Sequence, residues 1–134
     1  MGSANADLVR AAYALEYGGE DWHRWVDEHV APEFETEDRT LPEELAGLRG
    51  PAAARAHAAR MLDAFEQVGY AIEELRDLGD RVLVRARGHG RGRGSGVSIE
   101  GTLGHLWALR EGRIARLDVY GSWQEALDAA ERRD

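Results

Sequence analysis

Apolar residues along this chain keep two different periods, and the change falls near residue 69. Before it they recur every three or four positions, as on one face of a helix; after it they recur every second position, as on one face of a strand. Ser3 or Asn5 can cap a first helix reaching about residue 17, with Leu8, Ala11, Ala12 and Leu15 on one stripe, Val9, Tyr13 and Tyr17 on the next, and Gly18-Gly19 as the stop. A second, shorter helix opens at Glu20-Asp21, places Trp22, Trp25, Val26 and Val30 at helical spacing, and ends at Pro32. Residues 33–38 read as a short strand, so acidic that it belongs at an edge or a mouth. After a loop over 39–50, Pro51 starts a long third helix with Ala54, Ala58, Met61, Leu62 and Phe65 as its core stripe and Gly69 as its end. Four strands joined by short turns follow over residues 70–121, and Ser122 with Glu125 has the spacing of a capping box for a last short helix.

The longest two-residue pattern runs from Ser95 to Ser122 around a turn at Glu111-Gly112. A two-residue loop there sets Leu109 opposite Ile114, Trp107 opposite Arg116 and His105 opposite Asp118. One face then carries Leu103, His105, Trp107, Leu109, Ile114, Arg116, Asp118 and Tyr120, an apolar floor with a His/Asp pair. The other carries Gly104, Leu106, Ala108, Ala115, Leu117 and Val119. Helices first and strands after make the class α+β in a single domain over residues 1–134. The apolar strip of Leu106, Ala108, Leu117 and Val119 on the far side of the sheet predicts a homodimer through that face.

Composition narrows the function classes. Acidic residues outnumber basic ones by 25 to 17, for a net charge of −8, which speaks against binding nucleic acid through its phosphates. Arg81, Arg85, Arg87, Arg91 and Arg93 form a local basic stretch, read first as a solvated sheet face. Cysteine is absent, so thiolate chemistry and disulfides are out. Without a span-length apolar run or the apolar core of a signal peptide, the expected location is cytoplasmic, with no membrane partner. His23, His29 and His89 lack metal-ligand spacing, and no metal or other cofactor is expected.

The order of elements, with Val30-Ala31-Pro32-Glu33, Leu48-Arg49-Gly50, Leu78-Gly79-Asp80-Arg81-Val82 and the run from His105 to Ile114 through Gly112, resembles the nuclear transport factor 2-like superfamily over nearly the whole chain. Within it the chain is most similar to the SnoaL-like polyketide cyclases. The resemblance implies a cone: a curved antiparallel sheet wrapped around the N-terminal helices and the long third helix, with an apolar internal pocket and often a homodimer. Ketosteroid isomerases of the same superfamily take their base from an acidic pair matching Glu37-Asp38 and their oxyanion hole from positions near Tyr13 and His105; a His at 105 departs from the isomerase pattern. SnoaL-like cyclases place a His and an Asp in the pocket from the two strands of the last hairpin, which points to His105 and Asp118.

A histidine held by a carboxylate is a general base suited to neutral pH. His105, Asp118 and Asp38 are therefore the candidate catalytic residues, and Tyr13, Tyr17, Trp25, His57, Met61, Trp107 and Tyr120 the candidate walls for an apolar, cyclic or carbonyl ligand. Two functions fit this pattern: a cofactor-free acid/base enzyme such as an isomerase or cyclase, or a non-catalytic ligand-binding or dimerisation module. What separates them is whether His105 or Asp38 opens on a water-excluding cavity.

Overall fold

In the computed structural model, which describes residues 3–40 and 48–132, four helices pack with one five-stranded sheet. The elements in chain order are α1 (Ala4–Tyr13), α2 (Glu20–His29), β1 (Val30–Asp38), α3 (Gly50–Ala64), β2 (Phe65–Asp77), β3 (Arg81–Gly92), β4 (Ser98–Arg110), β5 (Arg113–Tyr120) and α4 (Trp123–Glu131). The Ser3 side chain caps α1 by accepting from the Ala6 amide, and Ser122 caps α4 by accepting from the Glu125 amide at 3.1 Å. Helix α1 stops at Tyr13, one turn before the glycines, and buries Ala6, Val9 and Ala12 while Ala11 faces water. Pro32 lies inside β1, because α2 has already ended at His29. The loop expected over 39–50 falls mostly on residues 41–47, outside the described ones.

Helix α3 ends at Ala64, earlier than Gly69. Residues 65–69 instead begin β2, with an irregular register between Glu66 and Gly69 and a left-handed Gln67 (φ 57°). Strand order is β1-β5-β4-β3-β2. Strands β2 to β5 form the expected antiparallel meander, whereas β1 joins the far edge parallel to β5, so the curved sheet is mixed and open. The concave face packs Val82, Val84, Ala86, Trp107, Leu109 and Ile114 against α1, α2 and α3. The convex face carries α4, whose Ala126, Ala129 and Ala130 cover Leu83, Leu106 and Tyr120. Gly104 lets α4 come this close, since a Cβ there would collide with Ala126.

One inserted residue decides which side chains enter the cone. Leu109 does pair with Ile114 across the turn, where Glu111 and Gly112 both have positive φ, but Ala108 pairs with Arg116 and leaves Ala115 without an opposite residue. This bulge shifts the rest of β5 by one, and in a strand a shift of one exchanges the two faces. His105 pairs with Val119, Trp107 with Leu117, and Leu106 with Asp118. Leu117 and Val119 therefore line the concave side, while Arg116, Asp118 and Tyr120 stand on the convex side. The apolar strip that motivated a homodimer is accordingly not there: Leu117 and Val119 point inward and Leu106 lies under α4.

Two arginines of β3 have short polar partners: Arg87 reaches Glu100 at 2.8 Å and Arg81 the Ala130 carbonyl at 2.8 Å. Among the described residues no helix is long and apolar enough to cross a membrane.

Candidate functional site

Between the concave face and the helices lies a chamber of about 500 Å³, within the range of small-molecule pockets. Its walls are mostly carbon: Trp22, Trp25 and Val26 from α2, Phe34 from β1, and Ile114, Leu117 and Val119 from β5 are among them. Polar groups converge on it from two sides.

On the first side, Asp38 ends β1 and pairs with Val119, which pairs in turn with His105. Paired residues in neighbouring strands point the same way, so Asp38 and His105 flank Val119 on one row of the concave face, about 10 Å apart by strand spacing. His57, from the middle of α3, closes over Asp38 with its Nε2 2.8 Å from Oδ2; the side chains are 11% and 6% exposed. A carboxylate only accepts, so Nε2 carries a proton, and in the neutral ring Nδ1 then keeps a lone pair. That lone pair faces the Tyr17 hydroxyl at 3.3 Å. The other oxygen of Asp38 accepts from the Thr40 amide at 2.9 Å and from its hydroxyl. Burial pushes the Asp38 carboxyl upward, but the hydrogen bonds from His57 and Thr40 together outweigh it and hold the group below the usual range. Asp38 is thus ionised and reached from the chamber through His57.

On the second side, Trp107 donates its indole N–H to the Tyr13 hydroxyl at 2.9 Å, and that hydroxyl lies 2.6 Å from Nδ1 of His105. Indole nitrogen can only donate, so Tyr13 accepts from Trp107; among the described residues the only other partner of its hydroxyl is His105 Nδ1, and donating there gives the phenol proton an acceptor. His105 is left as the tautomer with hydrogen on Nε2, and among the described residues nothing bonds that N–H, which opens on the chamber. Burial pulls His105 down to about 4, with Asp38 raising it and His57 lowering it by smaller amounts, so the ring is neutral near pH 7. Burial also raises the phenols of Tyr13 and Tyr17, which stay protonated.

Tyr70, raised to about 12 chiefly by burial, joins the two sides. Its ring meets Tyr17 edge-on at 5.5 Å and His105 at 5.2 Å.

The residues singled out from the sequence divide accordingly. Tyr13, Tyr17, Trp25, His57, His105 and Trp107 line the chamber. Asp118 does not face His105. It lies on the convex side, accepting from Arg39 at 3.0 Å and from Arg116 through two bonds of 2.8 Å, because the Ala115 bulge turns it outward. Tyr120 follows it to that side, with Arg39 4.3 Å above its ring. Met61 belongs to a separate crevice at the chamber's mouth. Sequence reasoning missed the partnership of Asp38 with His57, residues 19 apart on different elements, and missed Tyr70, Leu117 and Val119 as walls. Tyr70 alternates with Ile72 and was open to discovery by the same parity that placed His105 and Trp107 together. Among the described residues no group of acids and histidines is arranged to hold a metal ion.

The profile of the SnoaL-like domain matches residues 9–117. No curated protein sequence matches the chain. Solved structures resemble it at low identity. A protein from Jannaschia sp. CCS1 assigned as a SnoaL-like polyketide cyclase is 19% identical with a TM-score of 0.77, over 98% of this chain and 94% of that one. A Catenulispora acidiphila protein of ketosteroid isomerase-like fold, in complex with trimethylamine, is 20% identical with a TM-score of 0.72, over 91% and 90%. TerC, co-crystallised with polyporic acid, is 21% identical with a TM-score of 0.71, over 96% and 99%. At these identities the likeness carries the fold.

Proposed function

Because this chain belongs to the SnoaL-like family, whose fold supports both catalysts and plain binders, we propose that it is a cofactor-free acid/base enzyme acting on a cyclic, carbonyl-bearing compound. The observation that carries this reading is that one apolar chamber holds two imidazoles prepared for opposite tasks.

His57 is the base. Its Nδ1 lone pair takes a proton from a carbon next to the carbonyl, and Asp38, bonded to Nε2–H, stabilises the imidazolium that forms. His105 is the electrophile. As that proton leaves, negative charge collects on the carbonyl oxygen, and a fixed Nε2–H in a mostly apolar chamber stabilises it without having to reorganise. A neutral imidazole gives up no proton outright, so the oxygen is held as a hydrogen-bonded enolate until His57 returns its proton at another carbon, or until the enolate carbon attacks a second carbonyl and the alkoxide so formed takes the proton from His57. The first outcome is an isomerisation and the second a cyclisation. The Tyr17 hydroxyl, which donates to Nδ1 of the neutral ring, turns to the substrate's oxygen when Nδ1 takes the proton.

The test is proton exchange, which needs no knowledge of the natural product. Cyclic ketones and polyketide-like β-keto esters incubated with the protein in D2O are followed by NMR for deuterium at the carbon next to the carbonyl. Catalysed exchange lowered about 10²–10⁴-fold in His57→Ala supports the reading. Exchange equal to the buffer rate, with ligands that nonetheless bind, makes the chamber a binding pocket.

A further inference from the structure

A second, smaller crevice adjoins the chamber. Val68, Tyr70 and His89 border the chamber on one side and, on the other, border the crevice of about 150 Å³ that continues along the concave face between β2, β3 and β4. Its floor is glycine: Gly88 pairs with Gly101 across β3 and β4, and Gly90 pairs with Ile99. A Cβ at Gly88 would press on the Tyr70 ring at 3.3 Å and one at Gly90 on Phe65 at 3.4 Å, whereas one at Gly101 would meet nothing within 4 Å. Gly101 is exposed, so a side chain there would project into the crevice from its solvent-facing end. Gly69 makes room for His89, which lines both spaces, since a Cβ there would lie 2.9 Å from Nε2 of that ring.

Met61, Phe65 and Leu103 are among the walls of the crevice, and Tyr70, His89 and Glu100 are its polar lining. Glu100 is already bonded to Arg87 at 2.8 Å. Ordered water needs two to four polar partners, and this crevice offers almost none. At its outer end Ile99 is 47% exposed in a strand whose inner half is buried. An apolar crevice that shares Val68, Tyr70 and His89 with the ligand chamber is placed to take part of the same ligand.

We propose that the crevice is a second subsite, which takes an unbranched or flat apolar arm of a ligand whose oxygen-bearing head occupies the chamber at His57 and His105. The substrate class is then a cyclic carbonyl compound with a hydrocarbon tail, and Gly101 sets the tail's length. The placement of the head rests on the reading above; the arm does not depend on turnover.

The experiment measures binding of phenol and its 4-ethyl, 4-butyl and 4-hexyl derivatives by calorimetry. In the unaltered protein affinity rises about fourfold per methylene, the gain for burying a CH2, and levels off once the slot is full. Gly101→Leu fills the slot; it introduces no backbone strain, because Gly101 is not among the positive-φ residues. It leaves the affinity for phenol unchanged and abolishes the gain with length. Ile99→Asp, at an exposed position that does not support the core, reduces the same gain and serves if Gly101→Leu does not fold. His105→Ala weakens the whole series alike and keeps the slope, so a failure of the head's placement shows separately. A slope absent in the unaltered protein, or one that survives in both crevice variants, overturns the proposal. So does sedimentation showing a dimer that Ile99→Asp splits, since a second copy would then occupy the crevice.

Discussion

Asp38 Oδ2 lies 2.8 Å from Nε2 of His57, joining the end of an edge strand to the middle of a helix. The contact gives an acidic strand end a single defined use. It fixes which nitrogen of His57 is protonated and presents the other to the chamber.

Replacing Asp38 by Asn should therefore act on stability and chemistry together. The folded state holds this carboxyl below its usual value, so its contribution is complete above about pH 4 and disappears as pH falls through the depressed folded value. Urea titrations near pH 7 should show Asp38→Asn destabilised by about 1.5–3 kcal/mol, the worth of hydrogen bonds to a charged group. The gap to the unaltered protein should close toward pH 3. A gap independent of pH would mean that Asp38 is not ionised in the fold.

His105 should stay neutral far below the pH at which a free histidine charges. Its folded value is depressed to about 4 by burial against an ordinary value near 6.5, so the stability this ring contributes is present above pH 6.5 and lost as pH falls toward 4. The loss is about 3 kcal/mol. Nitrogen-15 NMR of the imidazoles should show one ring with hydrogen on Nε2 throughout the range pH 5–8. Tyr13→Phe removes the donor to Nδ1 and should turn that single tautomer into a mixture. An unchanged spectrum in Tyr13→Phe would rule out the relay from Trp107 through Tyr13.

Asp118 should matter to folding and not to the chamber. It accepts from Arg39 and Arg116 on the convex side, and its side chain is 12% exposed. Asp118→Asn should lower stability by about 1 kcal/mol and leave proton exchange on carbonyl ligands within twofold. A loss of exchange comparable to that in His57→Ala would place Asp118 in the reaction after all.

Gly18 should resist substitution. Its φ is +76°, and a Cβ would lie 2.5 Å from Cδ1 of Leu62, a chamber wall. Gly18→Ala should cost about 1–3 kcal/mol in thermal or urea unfolding and weaken ligand binding by displacing Leu62. Neutral behaviour in both measurements would contradict the close packing of this turn against α3.

Much of this architecture follows from properties a chain carries locally. The change of period near residue 69, the serine caps at Ser3 and Ser122, and the turn at Glu111-Gly112 are set by neighbours within a few positions, and each forms as the pattern predicts, with ends displaced by a few residues. The same holds for the placing of His105 with Trp107 on the ligand side of β4, which needs only the alternation of a strand. Two decisions were not local. Ala115 carries no mark of a bulge; it is extruded because the regular register would bury Arg116 and Asp118 in the cone and expose Leu117 and Val119, and the cost of that exchange falls on the whole sheet. The meeting of His57 with Asp38 required β1 to cross the molecule and pair in parallel with β5 while α3 packed against β1. Alternation along the chain determined which residues could share a face. Burial, settled only when five strands and four helices closed on one another, decided that His57 is held by Asp38 and that Asp118 stands outside.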